Sequence, residues 1–263
     1  MIIRILSILF AILYAATSWA QTATGYFKKE KFTHEAFTLP YRVMYPEGYD
    51  STKQYPLVVF LHGAGERGDD NEMQLKYGHD FFIKYNYSKS QFPAIVVAPQ
   101  CPLSSYWPNV LRQQKDEKLS FAFGVTDEPT PAMKTAMALV DYWLAAGRVD
   151  NRQVYIGGLS MGGMGTLEML WRKPSVFAAA FPVCGGADMS KLNRYSKMPM
   201  GMWLFHGDAD VVVPVQHSRE VYNALKAVDF DVRYTEYPNV NHNSWDHVFQ
   251  ETMLMPWLFG HKK

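Results

Sequence analysis

The sequence predicts an α/β fold with a mostly parallel central sheet that is flanked by helices on both faces. Segments with strand-like and helix-like patterns alternate after about residue 56, which is typical of parallel sheets. Residues 56–61 and 94–98 are uninterrupted apolar runs, as expected of strands that are buried on both faces. A chain of 263 residues can form one such domain around a single large core.

The remaining elements follow in chain order. An antiparallel strand pair is predicted at the edge of the sheet, over residues 27–33 and 37–45. A helix is predicted between Thr130, whose hydroxyl can cap its start, and Gly147, which can end it. Further strands are predicted at 154–156, 177–183, 201–205 and 231–237, and further helices from 161 to Pro174 and near 215–227 and 244–254.

The first 20 residues have the pattern of a cleaved secretory signal peptide. Arg4 precedes an apolar run over residues 5–16, and the small residues Ser18 and Ala20 flank the position of a cut before Gln21. The run is shorter than the roughly 20 residues that span a bilayer. We therefore expect residues 21–263 to form one catalytic domain, in a secreted or periplasmic protein.

Composition excludes several classes of partner. The 26 basic and 25 acidic side chains nearly cancel, and no long block of like charge occurs, so neither nucleic acid nor a membrane surface is predicted as a partner. Cys101 and Cys184 each follow a predicted strand. Two buried free thiols are the favoured interpretation, and a disulfide between them stays open.

A nucleophile is predicted at Ser160, in the G-x-S-x-G segment formed by residues 158–162. The segment joins a predicted strand to a predicted helix, so the serine lies on a sharp turn with its hydroxyl exposed. A serine hydroxyl is a weak nucleophile at neutral pH. It needs a base, an acid that orients the base, and N–H groups that stabilise the oxyanion.

Two aspartates compete for the role of the acid, Asp208 and Asp210. Asp210 lies further into the loop that follows a predicted strand, and the Val-Val-Pro after it can begin the next helix with the carboxylate facing inward. There it would hold an imidazole in one tautomer. We predict Asp210 as the catalytic acid and keep Asp208 as the alternative.

Among the eight histidines, His242 is the predicted base. It follows the last predicted strand and so shares one edge of the sheet with the serine and the aspartate, in the chain order that serine, aspartate and histidine have in α/β-hydrolases. The rival His247 falls inside a predicted helix, whereas His62 and His206 more plausibly hydrogen-bond loops. The others lack comparable context: His34, His79, His217 and His261.

The oxyanion is predicted to accept hydrogen bonds from two backbone N–H groups. One belongs to Met161, directly after the nucleophile, and the other to Ala64 or Gly65 in the loop after the first buried strand. This glycine-rich loop lacks the Gly-Lys-Ser/Thr ending of a phosphate-binding loop.

These motifs together resemble those of α/β-hydrolases in the esterase group that includes phospholipase/carboxylesterase-like, dienelactone-hydrolase-like and prolyl-oligopeptidase-type proteins. The matching segments are LHGAGERGDDN (61–71), APQCP (98–102), VYIGGLSMGGMGTLEML (154–170), FPVCGG (181–186), FHGDADVVVPV (205–215) and YPNVNHNSWD (237–246). The resemblance implies the α/β-hydrolase fold and hydrolysis of carboxylic esters through an acyl-enzyme, with Ser160, Asp210 and His242 as the triad. It implies no cofactor and no metal.

The chain departs from these relatives in two places. Asn239 and Asn241 stand where relatives often have glycine, and asparagine tolerates a left-handed backbone. Dienelactone hydrolases proper use cysteine at the position of Ser160, so their chemistry is not expected here.

Two further features bear on the substrate. Glu66, Arg67, Asp70 and Asn71 match the family pattern and either brace their loop through ion pairs or position a substrate. The longest irregular stretch, residues 101–129, is predicted to lie over the cleft. Within it Trp107 is the predicted substrate contact, with packing under the loop as the alternative.

The sequence thus favours a secreted serine carboxylesterase acting on short acyl or aromatic esters, such as acetyl or feruloyl esters, of small molecules or polysaccharides. One alternative is a peptidase of the prolyl-oligopeptidase type, although no β-propeller fits within this length. The other is a carbohydrate-binding protein that keeps the fold without catalysis. The sequence leaves the oligomeric state open.

Overall fold

The computed structural model describes residues 25–88, 91–115 and 118–263 of the chain. The predicted signal peptide, residues 1–20, lies outside the described residues. Within the described ranges, no helix combines the length and the apolar character that a transmembrane segment requires.

The central sheet has the predicted architecture. The strands of the described residues are β1 (Lys28–His34), β2 (Phe37–Met44), β3 (Tyr55–Leu61), β4 (Ile95–Pro99), β5 (Val110–Lys115), β6 (Lys118–Phe123), β7 (Val149–Leu159), β8 (Ala179–Val183), β9 (Gly201–Gly207) and β10 (Val232–Tyr237). Eight of them form one sheet in the order β1-β2-β4-β3-β7-β8-β9-β10, and β5 pairs with β6 in a separate hairpin. In the eight-stranded sheet, the neighbouring strands β4-β3-β7-β8-β9-β10 are all parallel to one another. Strand β2 is antiparallel to both of its neighbours, β1 and β4.

Helices cover both faces of the sheet, as predicted. They are α1 (His79–Ile83), α2 (Pro131–Ala145), α3 (Met161–Arg172), α4 (Gln216–Lys226), α5 (Trp245–Val248) and α6 (Leu254–Gly260). Apolar side chains of α2, α3 and α4 belong to one core cluster, and those of α1, α5 and α6 to the cluster on the opposite face. Thr130 caps α2 by accepting a hydrogen bond from the N–H of Met133, and Gly147 follows the helix with φ of +71°.

Two predicted segments were wrong in part. The helix expected over residues 244–254 ends at Val248, and α6 begins only at Leu254. Pro256 lies in the first turn of α6, the part of a helix that tolerates proline, and its ring would clash with the carbonyl of Thr252 if this helix began a turn earlier. The stretch 101–129 is not wholly irregular, because it contains the β5–β6 hairpin. The tip of that hairpin has none of the Asn-Gly or Asp-Gly turn signals by which a hairpin is recognised.

Both cysteines are buried free thiols, which matches the favoured interpretation. Burial raises the pKa of the Cys101 thiol to about 12 and raises the pKa of the Cys184 thiol as well.

Gly162 fixes how closely α3 packs on the sheet, and its replacement gives a stability prediction. A Cβ atom at this position would lie 1.9 Å from the carbonyl oxygen of Leu61, a backbone atom that cannot rotate away. We expect Gly162→Ala to lower the free energy of unfolding by about 3 kcal/mol or more. Thermal unfolding would then shift down by roughly 6–12 °C. Gly260→Ala, where an added Cβ meets nothing within 4 Å, is the control, and equal melting temperatures of both variants would refute the packing argument.

Candidate active site

Ser160 lies on the predicted sharp turn between β7 and α3. Its φ of 53° and ψ of −116° are unusual for a residue with a side chain. The turn is held in place because the Ser160 N–H donates to the carbonyl of Val183 at 2.9 Å. The serine side chain consequently lines a pocket instead of the core.

The structure brings the three predicted catalytic residues together in one chain of hydrogen bonds. His242 Nε2 lies 2.9 Å from Ser160 Oγ, and His242 Nδ1 lies 2.7 Å from Asp210 Oδ2. The Asp210 side chain is fully buried, whereas His242 is 19% exposed. This geometry lets the aspartate fix the imidazole tautomer in which Nε2 can accept the serine proton.

The surroundings of Asp210 keep its carboxylate ionised. Burial alone would raise the pKa of Asp210, but hydrogen bonds from His206, His242 and the Val213 N–H outweigh it and hold that pKa well below its usual range. The Oδ1 atom accepts from the N–H groups of Val212 and Val213, at 2.8 and 2.9 Å. A charged acceptor therefore faces the imidazole at neutral pH.

His206 is a neighbour of the triad that sequence reasoning assigned only to loop bonding. It does hydrogen-bond loops, because its Nε2 lies 3.0 Å from the Val213 carbonyl and its Nδ1 lies 2.7 Å from Ser218 Oγ. The same Nε2 is 3.2 Å from Asp210 Oδ2. Since a carbonyl oxygen only accepts, Nε2 carries a hydrogen, which is shared with the carboxylate.

We expect His206→Leu to lower kcat by about tenfold, because Asp210 loses one charge-assisted hydrogen bond that orients it. His206→Gln offers an amide N–H in the same region and should recover part of the loss. The quantity measured is kcat per active serine, with the active serines counted by titration, so that unfolded protein does not affect the value. If His206→Leu has the kcat of the wild type, His206 does not position Asp210.

The rival residues lie apart from the triad. Asp208 Oδ1 accepts the N–H of Asn239 at 2.7 Å, and His247 stacks on the ring of Tyr237. His62 accepts the Cys101 N–H at its Nε2, at 2.9 Å, and its Nδ1 lies 2.6 Å from the Gly63 carbonyl. Burial lowers the pKa of His62 to about 4, so it is neutral and holds two loops together, in agreement with its predicted role.

The two asparagines near His242 have different roles, and one of them, Asn239, has the left-handed backbone expected at a glycine position. Asn239 adopts φ of +58°, in the left-handed region. Asn241 Oδ1 accepts the N–H of Val211 at 3.1 Å and of His242 at 2.7 Å. It thereby joins the loop that carries the aspartate to the loop that carries the histidine, a link that the sequence did not reveal.

The predicted oxyanion donors lie around the nucleophile. Met161 is the first residue of α3, so its N–H has no partner within the helix. Ala64 and Gly65 belong to a 3-10 turn, Ala64–Glu66, and line the same pocket as Ser160. The assignment of these groups as donors stays a prediction.

The loop that contains Glu66, Arg67, Asp70 and Asn71 is braced, but in the described part of the chain not by the ion pairs that were expected among its own residues. Arg67 donates to the carbonyls of Ala64, Leu103 and Ser105. The Gln100 side chain donates to Asp70 Oδ1 at 2.8 Å and accepts the Asn71 N–H at 2.7 Å. Hydrogen bonds to backbone and amide groups thus join the loop to the strand end of β4.

The prediction that Trp107 contacts the substrate was wrong. The side chain is fully buried, and its indole N–H donates to the carbonyl of His62 at 3.1 Å. Its neighbour Tyr106 lines the pocket instead. Which of two adjacent aromatic residues faces a cleft depends on long-range packing, and the sequence has no local signal for it.

The pocket above Ser160 has a volume of about 240 Å³. Most of its wall is apolar or aromatic, and described residues of the 101–129 stretch, including some of the β5–β6 hairpin, contribute to it. The lining includes Tyr77, Tyr106, Leu119, Phe121, Met164 and Trp245. Such a wall suits an acyl or aromatic group next to a reacting carbonyl.

One cluster in the described part of the chain could present three ligand atoms to a metal ion. The ligand atoms of Cys184, Asp210 and His242 lie within 4.8 Å of one another. Burial raises the pKa of the Cys184 thiol, and the other two side chains already bond each other. We therefore assign the cluster to hydrogen bonding.

Comparisons with known proteins agree with the fold. Residues 49–253 match the model of the phospholipase/carboxylesterase family. The crystal structure of a thermostable esterase superposes with a TM-score of 0.80 at 32% identity, covering 92% of this chain and 64% of that one. Mouse lysophospholipase-like protein 1 is 25% identical over 213 residues, 79% of this chain and 86% of its own length.

Two fungal relatives represent different substrate classes. A probable feruloyl esterase C of Aspergillus terreus is 28% identical over 182 residues, which are 68% of this chain and 57% of that protein. Dipeptidyl-peptidase 5 of Aspergillus oryzae is 21% identical over 244 residues, and the match spans 82% of this chain but only 33% of the peptidase. With its fold, its pocket and the family match together, the chain belongs to the phospholipase/carboxylesterase family of α/β-hydrolases and is a hydrolase of the esterase type.

Proposed function

We propose that the protein is a serine carboxylesterase that cleaves its substrate through an acyl-enzyme on Ser160. The observation that carries the proposal is the continuous hydrogen-bonded chain from Ser160 Oγ through His242 to Asp210. A base at 2.9 Å from the hydroxyl is within the distance at which proton transfer accompanies attack.

The proposed reaction assigns one step to each of these groups. Ser160 Oγ attacks the ester carbonyl carbon while His242 Nε2 takes the hydroxyl proton, and the N–H groups of Met161 and of Ala64 or Gly65 stabilise the oxyanion. Collapse breaks the bond to the alcohol oxygen, and His242 returns the proton to that oxygen. Water then attacks the acyl-enzyme with His242 again as base, which releases the acid and restores the serine.

Short acyl or aromatic esters are the proposed substrates. A pocket of about 240 Å³ is smaller than the ~300–1,000 Å³ of typical ligand sites, which disfavours long acyl chains. Aromatic side chains along its wall can pack on an aromatic acyl group such as feruloyl. The similarity to a feruloyl esterase supports this choice.

Export to the periplasm or the cell exterior is proposed from residues 1–20 alone. The exported protein should begin at Gln21, and Edman or mass analysis of secreted material checks it. An amino terminus at Met1 would contradict cleavage. In that location polysaccharide esters are accessible substrates.

A fluorophosphonate tests the proposed mechanism directly. We expect one covalent adduct, mapped by peptide mass to Ser160, on the folded protein and none after heat denaturation. His242→Ala should slow labelling strongly, because the base is lost. Absence of an adduct on folded protein would favour a non-catalytic binding function.

Enzyme that has not been treated with the fluorophosphonate is then compared on acetyl, feruloyl and palmitoyl esters and on a proline-containing peptide. Faster turnover of the acetyl or feruloyl esters is expected. Cleavage of the peptide without ester turnover would favour a peptidase, as the similarity to dipeptidyl-peptidase 5 suggests.

A further inference from the structure

One cationic side chain reaches the pocket from the β5–β6 hairpin, and the proposed mechanism does not use it. Arg112 lines the same pocket as Ser160, and its guanidinium carbon lies 5.8 Å from the centre of the Tyr106 ring. The side chain is largely exposed to solvent in the unliganded protein. The ion pairs that arginines form among the described residues involve Arg42, Arg152, Arg172 and Arg219. The guanidinium of Arg112 thus has no carboxylate partner in the described part of the chain.

A second arginine near the Tyr106 ring, Arg67, has a structural role that differs from that of Arg112. Arg67 lies 5.2 Å from the Tyr106 ring centre, but three of its hydrogen bonds go to backbone carbonyls. Its donors are therefore committed to holding loops. Arg112 hydrogen-bonds the Tyr106 side chain, but among the described residues it is not tied to backbone carbonyls as Arg67 is. Its N–H donors that do not face Tyr106 therefore remain available to a ligand.

The charge around the pocket favours an anion. Three titratable side chains bear on the charge of the pocket lining: the basic residues Arg112 and His242 and the carboxylic acid Glu66, which is 4% exposed. Burial raises the pKa of Glu66, which works against its negative charge. Asp210 is already bonded to His242 and His206. Apolar walls of low dielectric strengthen the field of the remaining cation inside the cleft.

We propose that Arg112 is a specificity-determining residue that binds a carboxylate on the substrate, so that esters bearing a carboxylate are preferred to their neutral isosteres. The inference rests on the proposed esterase function and narrows its substrate class. A planar guanidinium forms two parallel hydrogen bonds to a carboxylate, which gives orientation as well as attraction. The carboxylate can belong to the acyl or to the alcohol part of the ester.

The test uses two rigid pairs of aromatic esters. Mono-4-nitrophenyl terephthalate against 4-nitrophenyl 4-carbamoylbenzoate probes the acyl side, and 4-acetoxybenzoate against 4-acetoxybenzamide probes the alcohol side. In at least one pair the wild type should favour the carboxylate about tenfold in kcat/KM, the effect of one charged hydrogen bond. Arg112→Gln should remove that preference by slowing the carboxylate ester more than the neutral one, and Arg112→Lys should keep part of the preference.

Arg233→Gln is the matched control. Arg233 is exposed and lies over the rings of Trp203 and Trp257, it does not line the pocket, and its loss changes the net charge equally. The preference should survive in this variant. Persistence of the preference in Arg112→Gln, an equal loss for charged and neutral esters, or no preference in either pair of the wild type would each overturn the inference.

Failure of the proposed function would be visible separately. If no ester is turned over, calorimetric binding of 4-acetoxybenzoate and 4-acetoxybenzamide to Ser160→Ala replaces kinetics. Tighter binding of the carboxylate, lost on adding Arg112→Gln, supports the role of Arg112 without turnover. Equal binding of both compounds rejects it.

Discussion

Ser160→Ala should lower kcat for ester hydrolysis by roughly five to six orders of magnitude. The change removes the atom that forms the acyl-enzyme, and comparable losses follow removal of the nucleophile in other serine hydrolases. The oxyanion donors and the pocket stay in place, so a residual rate above that of water alone is expected. Steady-state turnover of 4-nitrophenyl acetate measures the loss.

The fold should survive this substitution. The substitution keeps a side chain on a residue whose φ is positive in the wild type as well. Among the described residues, the side-chain hydrogen bond that is lost is the one to His242. Ser190→Ala is the control, because Ser190 Oγ bonds only to Asp188 at the surface, 2.7 Å away, and does not line the pocket. Retention of more than about one per cent of the activity in purified Ser160→Ala would mean that another group is the nucleophile.

The triad could be predicted because its positions follow from local motifs and one rule of sheet topology. Ser160, Asp210 and His242 each come shortly after a parallel strand: β7, β9 and β10. The carboxyl ends of parallel strands meet at one edge of a sheet, so side chains distant in sequence converge there. The pentapeptide around Ser160 then predicts which of the residues at that edge is the nucleophile.

The walls of the pocket could not be predicted in the same way. Arg112 lies on a hairpin without turn signals, and Trp107, the predicted substrate contact, is buried whereas its neighbour Tyr106 lines the pocket. His206 reaches Asp210 through a buried contact between residues four apart, outside any helix. These features depend on how loops pack on the finished sheet, and neither periodicity nor capping residues encode that packing.

Asp210→Asn should lower kcat by about four orders of magnitude, because the amide selects the wrong tautomer of His242. In the wild type, the Asp210 carboxylate accepts hydrogen bonds at both oxygens. Two backbone N–H groups donate to Oδ1, and His242 donates to Oδ2, which also lies near His206. An asparagine side chain has one oxygen, which accepts the hydrogen bonds of the two backbone N–H groups. Its NH₂ group then faces His242 Nδ1, which must accept.

With Nδ1 unprotonated, the hydrogen of His242 moves to Nε2, where it points at Ser160 Oγ and blocks proton transfer. A loss of this size is known for the equivalent change in a serine protease triad. Asp208→Asn is the matched control, because Asp208 is exposed and the hydrogen bond that its side chain accepts within the described ranges comes from the Asn239 N–H. We expect its kcat to stay within about twofold of the wild type. Similar losses in both variants, or a loss below about tenfold for Asp210→Asn, would show that Asp210 does not set the tautomer.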